Sequence, residues 1–174
     1  MSDTVLLVVD VQKGLQNLHP YNGEEVISNI KRVLDIAREK GMEVLYVRHD
    51  DGLGGELEYG TENYEICDEV APKEWEQIFD KTRNSAFYGT GLEEYLAIRK
   101  VKNIILVGMQ TEYCIDATCK AAYEKGYNIY IPENTNTTFD NEYMTAKEIY
   151  QFFNYKIWDK RYAKVIGIEE IHGL

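Results

Sequence analysis

The sequence predicts a three-layer α/β/α fold, in which helices cover both faces of a mostly parallel central sheet. Continuous apolar runs rich in β-branched residues, such as 4–9 and 104–107, are typical of strands that are buried on both faces. Segments with the periodicity of amphipathic helices separate these runs. Because strands and helices alternate from one end of the chain to the other, the connections favour parallel pairing.

The first predicted unit is a strand, a helix and a second strand. The strand covers 4–9. Asn22 and Glu25 have the spacing of a capping box, so we expect a helix to begin there and to end at Gly41. A second strand follows at 43–48, and the crossover that joins the two strands should be right-handed.

Residues 49–90 differ from this pattern, because they are polar, rich in Gly and Tyr, and without a sustained apolar period. A connection of this length in a compact domain is usually functional. We therefore expect it to form the wall and lid of a pocket. The glycine-rich stretch at 51–55 is expected to be a flexible surface turn, because no Rossmann-type glycine fingerprint or P-loop surrounds it, and nucleotide binding has no support.

The second half of the chain continues the alternation. Thr90 and Glu93 give another capping-box pattern, which predicts a helix as far as about Lys100. The other predicted elements are a strand at 104–107, a helix at 112–125, a strand at 128–131, a helix capped by Asp140 and an edge strand at 163–166. The length and the 44% apolar content fit a single domain over residues 1–174.

The charge balance restricts the possible partners. Nineteen basic and 30 acidic residues give a formal net charge of −11, so phosphate backbones and anionic membranes should be repelled. Neither an export signal nor an apolar run approaching the roughly 20 residues of a membrane span is visible. We therefore expect a cytoplasmic protein with reduced cysteines that binds a small molecule and neither nucleic acid nor membrane.

The turn after the predicted strand at 104–107 presents a cysteine. The strand runs into Gly108, and the helix that follows carries Cys114 in its first turn. Free N–H groups and the positive end of the helix dipole favour a thiolate there and can hold an oxyanion, so Cys114 is a candidate nucleophile. A lone cysteine is more often a small buried hydrophobe, which is what we expect of Cys119. Cys67 lies among acidic residues, where a thiolate is disfavoured.

Two charged residues are candidate partners of this thiol. Ligands of open α/β sheets bind beyond the carboxyl ends of the strands, and Asp10 follows the first predicted strand directly. Such an aspartate can also be a turn former or a helix cap. Lys81 lies in the segment 79–87. Most lysines are solvated, but a lysine beside a thiol lowers the thiol pKa, and a lysine beside a carboxylate keeps it ionised.

Three motifs together resemble the isochorismatase-like cysteine hydrolases. They are Asp10-Val11-Gln12, Lys81 followed by Ser85-Ala86-Phe87, and Gly108-x-x-Thr111-x-x-Cys114-x-x-x-Thr118. The resemblance covers nearly the whole chain in the same order, and the last motif is its most specific part. It implies a Rossmann-like fold, a homodimer or higher homo-oligomer, a catalytic triad of Asp10, Lys81 and Cys114, and a non-proline cis peptide bond between Met109 and Gln110.

The residue types in these motifs suit hydrolysis of a C–N bond in a small amide, ureido or carbamoyl compound. Asp10 would accept the thiol proton, the Cys114 thiolate would attack the carbonyl carbon, and the amides of Gln110 and Cys114 would hold the oxyanion. This chemistry needs no metal or organic cofactor. Two alternatives remain open: a vinyl-ether hydrolase of the isochorismatase type, in which Asp10 matters and Cys114 does not, and a non-enzymatic protein-interaction module.

One departure from the family concerns metal binding. Nicotinamidases of the family carry an Asp-x-His and a further His as metal ligands after the second strand, whereas this chain has His49 followed by Asp50-Asp51-Gly52 and no second histidine nearby. A nicotinamidase is therefore disfavoured, and no metal site is predicted. We expect His49 to be a pocket-wall or structural residue, because one imidazole does not make a metal site. The candidate pocket residues, for which core packing or surface exposure is the alternative, are Gln12, Phe87, Tyr88 and Tyr113.

Overall fold

The computed structural model describes residues 2–174 and contains one seven-stranded sheet. Its strands are β1 (Thr4–Val9), β2 (Glu43–His49), β3 (Gln77–Lys81), β4 (Asn103–Met109), β5 (Asn128–Pro132), β6 (Asn136–Thr137) and β7 (Lys164–Ile166). The order across the sheet is β3-β2-β1-β4-β5-β7, with β6 paired to β4, and every strand pair is parallel. The predicted mostly parallel α/β fold is confirmed.

Helices cover both faces of this sheet. They are α1 (Lys13–Asn17), α2 (Gly23–Glu39), α3 (Leu92–Ile98), α4 (Asp116–Glu124) and α5 (Ala146–Gln151). A π-helical turn at Thr111–Ile115 leads into α4, and another at Phe152–Trp158 continues α5. Short 3₁₀ turns lie at Glu62–Tyr64, Asp68–Val70 and Ile168–Gly173. In residues 2–174, no helix combines the length and the apolar composition that crossing a bilayer requires.

Strand β1 lies at the centre of two apolar cores. All six of its residues are buried, and alternate side chains point to opposite faces of the sheet. Leu6 and Val8 belong to the core that includes the apolar side of α2, whereas Leu7 and Val9 belong to the core that includes α3 and α4. The unbroken apolar run at 4–9 therefore reflects burial on both faces, as predicted.

The predicted capping boxes at Asn22–Glu25 and Thr90–Glu93 are wrong. Asn22 has a left-handed backbone with φ 49°, and its side-chain amide donates to the Glu25 carboxylate instead of capping a backbone N–H. Helix α3 begins after Gly91, whose left-handed conformation with φ 77° favours glycine. Thr90 forms no box with Glu93: its hydroxyl donates to the Ala86 carbonyl, and its Oγ1 accepts from the N–H of Leu92, the first residue of α3, at 3.2 Å. Residue spacing alone does not report these backbone angles.

The predicted cap at Asp140 is right only in part. Thr145 is the N-cap of α5 and forms a full capping box with Glu148. Asp140 lies further from the helix in sequence, yet its carboxylate accepts from the Ala146 N–H at 2.7 Å. Both residues therefore satisfy free donors in the first turn of α5.

Strand β3 is the main element that the sequence analysis missed, because it lies inside the segment at 49–90 that was expected to be irregular. It is a five-residue edge strand with exposed positions at Gln77 and Asp80, so it lacks the apolar run of β1 and β4. Its last residue is Lys81, which pairs in register with His49 at the end of β2. The strand therefore brings Lys81 to the carboxyl edge of the sheet.

Candidate active site

The candidate site lies beyond the carboxyl ends of four neighbouring strands. Asp10 follows β1, Lys81 is the last residue of β3, and Cys114 lies in the π-helical turn that follows β4. Because the strands are parallel, their carboxyl ends share one edge, and the polar residues at these ends meet there. The structure thus brings together three residues that are distant in sequence, the outermost of which, Asp10 and Cys114, are 104 positions apart.

Lys81 makes contact with every polar side chain at the centre of this site. Its side chain has no exposed surface, and Nζ lies 2.7 Å from Asp10 Oδ2, 3.3 Å from Cys114 Sγ and 2.9 Å from His49 Nδ1. An ammonium group has three N–H donors, and here three acceptors surround it. The alternative that Lys81 is an ordinary solvated lysine is therefore wrong.

Asp10 is held by its backbone, so that its carboxylate is free for the site. The residue is 1% exposed and has a left-handed φ of 53°, a conformation that aspartate tolerates better than most residues. Its N–H donates to the Val47 carbonyl at 3.0 Å. The Lys81 ammonium, 2.7 Å from Oδ2, is the ion-pair partner of this carboxylate, and no backbone N–H of residues 2–174 donates to either of its oxygens. The helix-cap alternative is therefore wrong.

A glycine allows β4 to run close beside the end of β1. A Cβ on Gly108 would lie 1.9 Å from the Val9 carbonyl oxygen, and the residue has a positive φ of 130°, so no other residue type fits. The peptide bond between Met109 and Gln110, which follows shortly after Gly108, is cis, as the family resemblance implied. These two features connect the buried strand to the turn that carries Cys114.

A buried polar network supports this turn from behind. The Thr111 hydroxyl donates to Asn136 Oδ1 at 2.9 Å, and Asn136 exchanges two side-chain hydrogen bonds with Asn154. All three side chains are buried. On the other side, Thr118 Oγ1 accepts from the Ala86 N–H at 3.0 Å, which joins α4 to the segment after Lys81. Both threonines of the Gly108–Thr118 motif thus make buried hydrogen bonds that hold the turn and the start of α4 in place.

The electrostatic environment differs from the expected one at the thiol. Burial raises the pKa of Cys114 to about 12; Asp10 raises the pKa as well, and Lys81 lowers it by less than these two effects together. The direction of this shift is opposite to the one expected from the helix start and from Lys81. Burial also raises the pKa of the Asp10 carboxyl above its usual range, although the Lys81 ammonium opposes this shift. The thiol thus needs a base in contact with it to lose its proton.

Two of the three candidate residues, Asp10 and Cys114, border a small cavity of about 190 Å³. Its lining consists of Asp10, Leu15, His49, Asp51, Leu57, Asn84, Gln110, Tyr113 and Cys114. The volume fits a small substrate. Leu57 and Asp51 come from the segment at 49–90, so this segment does form one wall of a pocket, as predicted.

Three of the four candidate pocket residues do not line this cavity. Gln12 is fully buried, and its side-chain amide donates to the carbonyls of His49 and Tyr64, so it supports the backbone instead. Phe87 packs against the apolar core and stacks on Tyr127, and Tyr88 is 66% exposed. Tyr113 alone lines the cavity. For Gln12, Phe87 and Tyr88, the alternative of core packing or surface exposure is the better description.

Most of the other lining residues were not predicted from the sequence. Asn84 lies three positions after Lys81 within a motif that was recognised, and this proximity is the signal that could have found it. Leu15 and Leu57 are isolated apolar residues in polar surroundings, and Asp51 stands in a stretch that is typical of a surface turn. Their positions depend on how the segments at 11–17 and 49–58 fold back over the sheet edge.

The site also contains a group of possible metal ligands. One atom each of Asp10, His49 and Cys114 lie within 4.8 Å of one another. The Lys81 ammonium, however, lies within 3.3 Å of an atom of each of these residues. A divalent cation among these atoms would be repelled by the ammonium at very short range. The local chemistry therefore favours the lysine cation over a metal ion at this position.

A parallel sheet with buried ionisable groups at its carboxyl edge is typical of α/β enzymes. The model of the isochorismatase domain matches residues 4–170 of the chain. The chain belongs to the isochorismatase family and is a hydrolase. The resemblance drawn from the three motifs is thus confirmed, and the alternative of a non-enzymatic module is wrong.

Several curated proteins are similar to this chain. The uncharacterized isochorismatase family protein YrdC of Bacillus subtilis (strain 168) is 31% identical over 137 residues, which cover 77% of this chain and 73% of YrdC. Nicotinamidase 3 of Arabidopsis thaliana is 28% identical over 151 residues, covering 79% of this chain and 74% of the relative. Ureidoacrylate amidohydrolase RutB of Rhizobium rhizogenes is 24% identical over 195 residues, covering 90% and 79%.

The fold is also shared with solved structures. An isochorismatase from Pseudomonas putida KT2440 superimposes with a TM-score of 0.91 at 25% sequence identity. The match covers 97% of this chain and 89% of the other. The three-layer architecture described above is thus that of the isochorismatase fold.

Proposed function

We propose that this chain is a cysteine hydrolase that cleaves the C–N bond of a small amide, ureido or carbamoyl compound. In this proposal, Cys114 is the nucleophile, Asp10 is the general base and acid, and Lys81 stabilises the charges that form on both. The observation that carries the proposal is the contact of one buried ammonium with a carboxylate at 2.7 Å and a thiol sulfur at 3.3 Å.

The first step is a proton transfer coupled to attack. Because burial raises the pKa of Cys114 to about 12, the thiol is protonated at rest, and Asp10 takes its proton as the sulfur attacks the carbonyl carbon. A C–S bond forms while the carbonyl π electrons move to oxygen. Lys81 stays protonated and compensates the negative charge that passes from the carboxylate to the substrate.

The oxyanion of this tetrahedral intermediate requires donors. The main-chain amides of Gln110 and Cys114 are the proposed ones, since both belong to the turn that borders the cavity. The loss of one such donor is worth about 3 kcal/mol of barrier in other enzymes. The oxyanion then collapses, the C–N bond breaks, and Asp10 returns the proton to the departing nitrogen.

The remaining thioester is cleaved by water. With the amine or ammonia gone, Asp10 is again a carboxylate and can accept a proton from a water molecule that attacks the thioester carbonyl. The C–S bond breaks, and Cys114 recovers its proton from Asp10. Every proton in this cycle moves through Asp10, so a single carboxyl group serves both half-reactions.

The substrate class rests on the cavity and on the relatives. A cavity of about 190 Å³ suits a small molecule. Nicotinamidase 3 and ureidoacrylate amidohydrolase RutB are both named for amide-type substrates, and the chain resembles both over more than three quarters of its length. We therefore place the substrate among small amides and related ureido or carbamoyl compounds. We also propose that the chain acts as a homodimer or higher homo-oligomer.

The test is a screen of small amides, ureido acids and carbamoyl compounds for release of ammonia. The Cys114→Ala protein is the negative variant, and Cys119→Ala is the matched control, because Cys119 is a buried cysteine of α4 that lines no part of the cavity. We expect the control to follow the wild type and Cys114→Ala to release no ammonia above background. Equal turnover by Cys114→Ala would overturn the proposal.

One observation favours a second candidate function. The raised pKa of the Asp10 carboxyl makes this group a better acid near neutral pH, and acid chemistry alone can hydrolyse a vinyl ether. In such a vinyl-ether hydrolase, Asp10→Asn would abolish activity and Cys114→Ala would not. The two single variants assayed side by side therefore separate the two candidates.

A further inference from the structure

We propose that His49 is a positioning residue for the Lys81 ammonium, and that Asp51 holds His49 in the tautomer that can fill this role. The inference rests on the proposed function, since it assigns to His49 an effect on the group that serves Cys114 and Asp10. It adds two residues to the site, and both were expected to be pocket wall or surface turn.

The geometry is a continuous chain of contacts from the rim to the nucleophile. Asp51 Oδ1 lies 3.2 Å from His49 Nε2, and His49 Nδ1 lies 2.9 Å from Lys81 Nζ. The second carboxylate oxygen of Asp51 accepts from the Leu57 N–H at 3.2 Å, so this side chain is held on both sides. Asp51 therefore has little freedom to leave the imidazole.

These contacts determine where the imidazole carries its proton. Lys81 is a donor through all its N–H groups, so the His49 Nδ1 that faces it has to be an acceptor. Asp51 is an acceptor, so Nε2 has to carry the hydrogen that faces it. The neutral Nε2–H tautomer satisfies both neighbours at once, whereas the other tautomer places two donors against each other at Nδ1 and two acceptors at Nε2.

The same series of contacts restricts the direction of the N–H groups of the Lys81 ammonium. Its three hydrogens have three acceptors, and His49 Nδ1 takes the one that Asp10 and Cys114 do not. Without this acceptor, a buried donor would remain unpaired, and the ammonium would rotate to share its hydrogens between the carboxylate and the sulfur. His49 thus keeps one hydrogen of Lys81 directed at each of the reacting partners.

The backbone of His49 does not depend on its ring. The Gln12 side chain donates to the His49 carbonyl at 3.0 Å and accepts from the His49 N–H at 2.9 Å. These two bonds remain when the imidazole is replaced. Substitutions at position 49 therefore test the ring with little disturbance of β2.

The matched variants are His49→Asn and His49→Leu. Asparagine presents an amide oxygen near the position of Nδ1 and can accept from Lys81, whereas leucine has a similar size and no acceptor. We expect His49→Leu to lower kcat by about tenfold with little change in KM, and His49→Asn to keep activity within about threefold of the wild type. If His49 acted only by contacting the substrate, both variants would instead raise KM.

A second measurement needs no substrate. The rate at which iodoacetamide alkylates Cys114, followed against pH, reports how Lys81 and Asp10 act on the thiol. We expect the profile of His49→Leu to move to higher pH, and that of His49→Asn to stay near the wild type. An unchanged profile in His49→Leu would overturn the positioning role, because a merely structural or substrate-binding histidine leaves the free thiol as it was.

The tautomer can be observed directly in ¹⁵N-labelled protein by NMR. We expect His49 to show a protonated Nε2 and a bare Nδ1, with His49→Asn identifying its signals among the three histidines. In Asp51→Asn, the amide oxygen can keep the bond from the Leu57 N–H, and the amide NH₂ then faces His49 Nε2. The imidazole proton should therefore shift from Nε2 towards Nδ1, and kcat should fall. A bare Nε2 in the wild type would contradict the assignment.

The outcomes separate this inference from the proposed function. If Cys114→Ala keeps full turnover, the proposed function fails, whatever His49 does. If Cys114→Ala is inactive and His49→Leu equals the wild type in kcat and in alkylation, the cysteine mechanism stands and the positioning role is wrong. Thermal unfolding of each variant, compared with the wild type, identifies any loss that comes from misfolding.

Discussion

Cys114 and Cys119 lie five residues apart on the same helical segment, and they differ in the features on which the proposed reactivity of Cys114 depends. Burial raises the pKa of both to about 12. Each also has a carboxylate that raises its pKa and a lysine that lowers it, namely Asp10 with Lys81 and Asp116 with Lys120. By charge environment alone, the two cysteines are nearly equivalent.

The difference lies in contact and access. Asp116 and Lys120 pair with each other at 2.7 Å, and the other oxygen of Asp116 accepts from the Trp158 indole N–H at 2.9 Å, so neither group is available to Cys119. Cys119 itself is completely buried in the apolar core. Cys114, in contrast, lies in direct contact with Lys81 and borders the cavity. A base within reach and an open face therefore distinguish the candidate nucleophile, and a low resting pKa does not.

The largest expected effect comes from removing the thiol that has this access. In Cys114→Ala and Cys114→Ser, turnover of the best amide found in the screen should fall by at least roughly 10⁴-fold, because no other group in contact with Asp10 can form a thioester. Steady-state ammonia release measures the loss. A Cys114→Ser protein with activity close to the wild type would remove the distinction between the two cysteines.

The second largest effect is expected from removing the base. Asp10→Asn keeps the size of the side chain but cannot accept the thiol proton, so kcat should fall by roughly 10³-fold. In the wild type, activity should fall as the pH drops through the pKa of Asp10, which burial places above its usual value of 3.8. The acid limb of the pH–rate profile should therefore lie at a higher pH than an ordinary aspartate would give. An acid limb that persists unchanged in Asp10→Asn would assign it to another group.

The sequence was sufficient for the parts of this comparison that depend on strong local patterns. The apolar runs of β1 and β4 follow from burial on both faces, and Gly108 near the end of β4 follows from a backbone approach that excludes a side chain. These elements placed Asp10 and Cys114 at the ends of neighbouring strands. The carboxyl-edge rule for parallel sheets then predicted that they would meet.

The sequence was insufficient where tertiary contacts decide. Strand β3 is short, lies at an edge and is partly charged, so its pairing with β2 left no periodic signal, and Lys81 could be assigned only by family resemblance. The pKa of Cys114 depends on burial and on Asp10, and neither can be read from the residues beside it. The contact between Asp51 and His49 depends on the course of the segment at 50–58, which has no regular structure.

A third prediction concerns the cation that distinguishes the two sites. Replacing Lys81 by Met leaves a buried carboxylate without its partner, which costs about 3 to 5 kcal/mol of unfolding free energy at neutral pH. The activity should fall as well, because the charge on Asp10 and on the sulfur is no longer compensated. Chemical denaturation and ammonia release measure the two effects. The matched surface variant Lys120→Met should show neither, since the Lys120 side chain is 40% exposed.

The pH dependence of this loss gives a sharper test. Without Lys81, the pKa of the Asp10 carboxyl rises further above its unfolded value, so the folded variant holds a proton that the unfolded chain releases. The associated stability is present at low pH and is lost as the pH rises through the folded pKa. The unfolding free energy of Lys81→Met should therefore fall further below that of the wild type as the pH rises above 3.8, the usual pKa of an aspartate. Adding Asp10→Asn should remove this trend.

The smallest expected effect is that of Cys119→Ala. This change removes one sulfur atom from a packed core, so we expect a loss of about 1 kcal/mol of unfolding free energy and no change in kcat or KM. Cys119→Ser, which buries a hydroxyl group among apolar side chains, should destabilise the protein further and still leave turnover per folded molecule intact. Because the pKa of Cys119 is raised to the same value as that of Cys114, unchanged catalysis in both variants would assign reactivity to the contacts with Asp10 and Lys81.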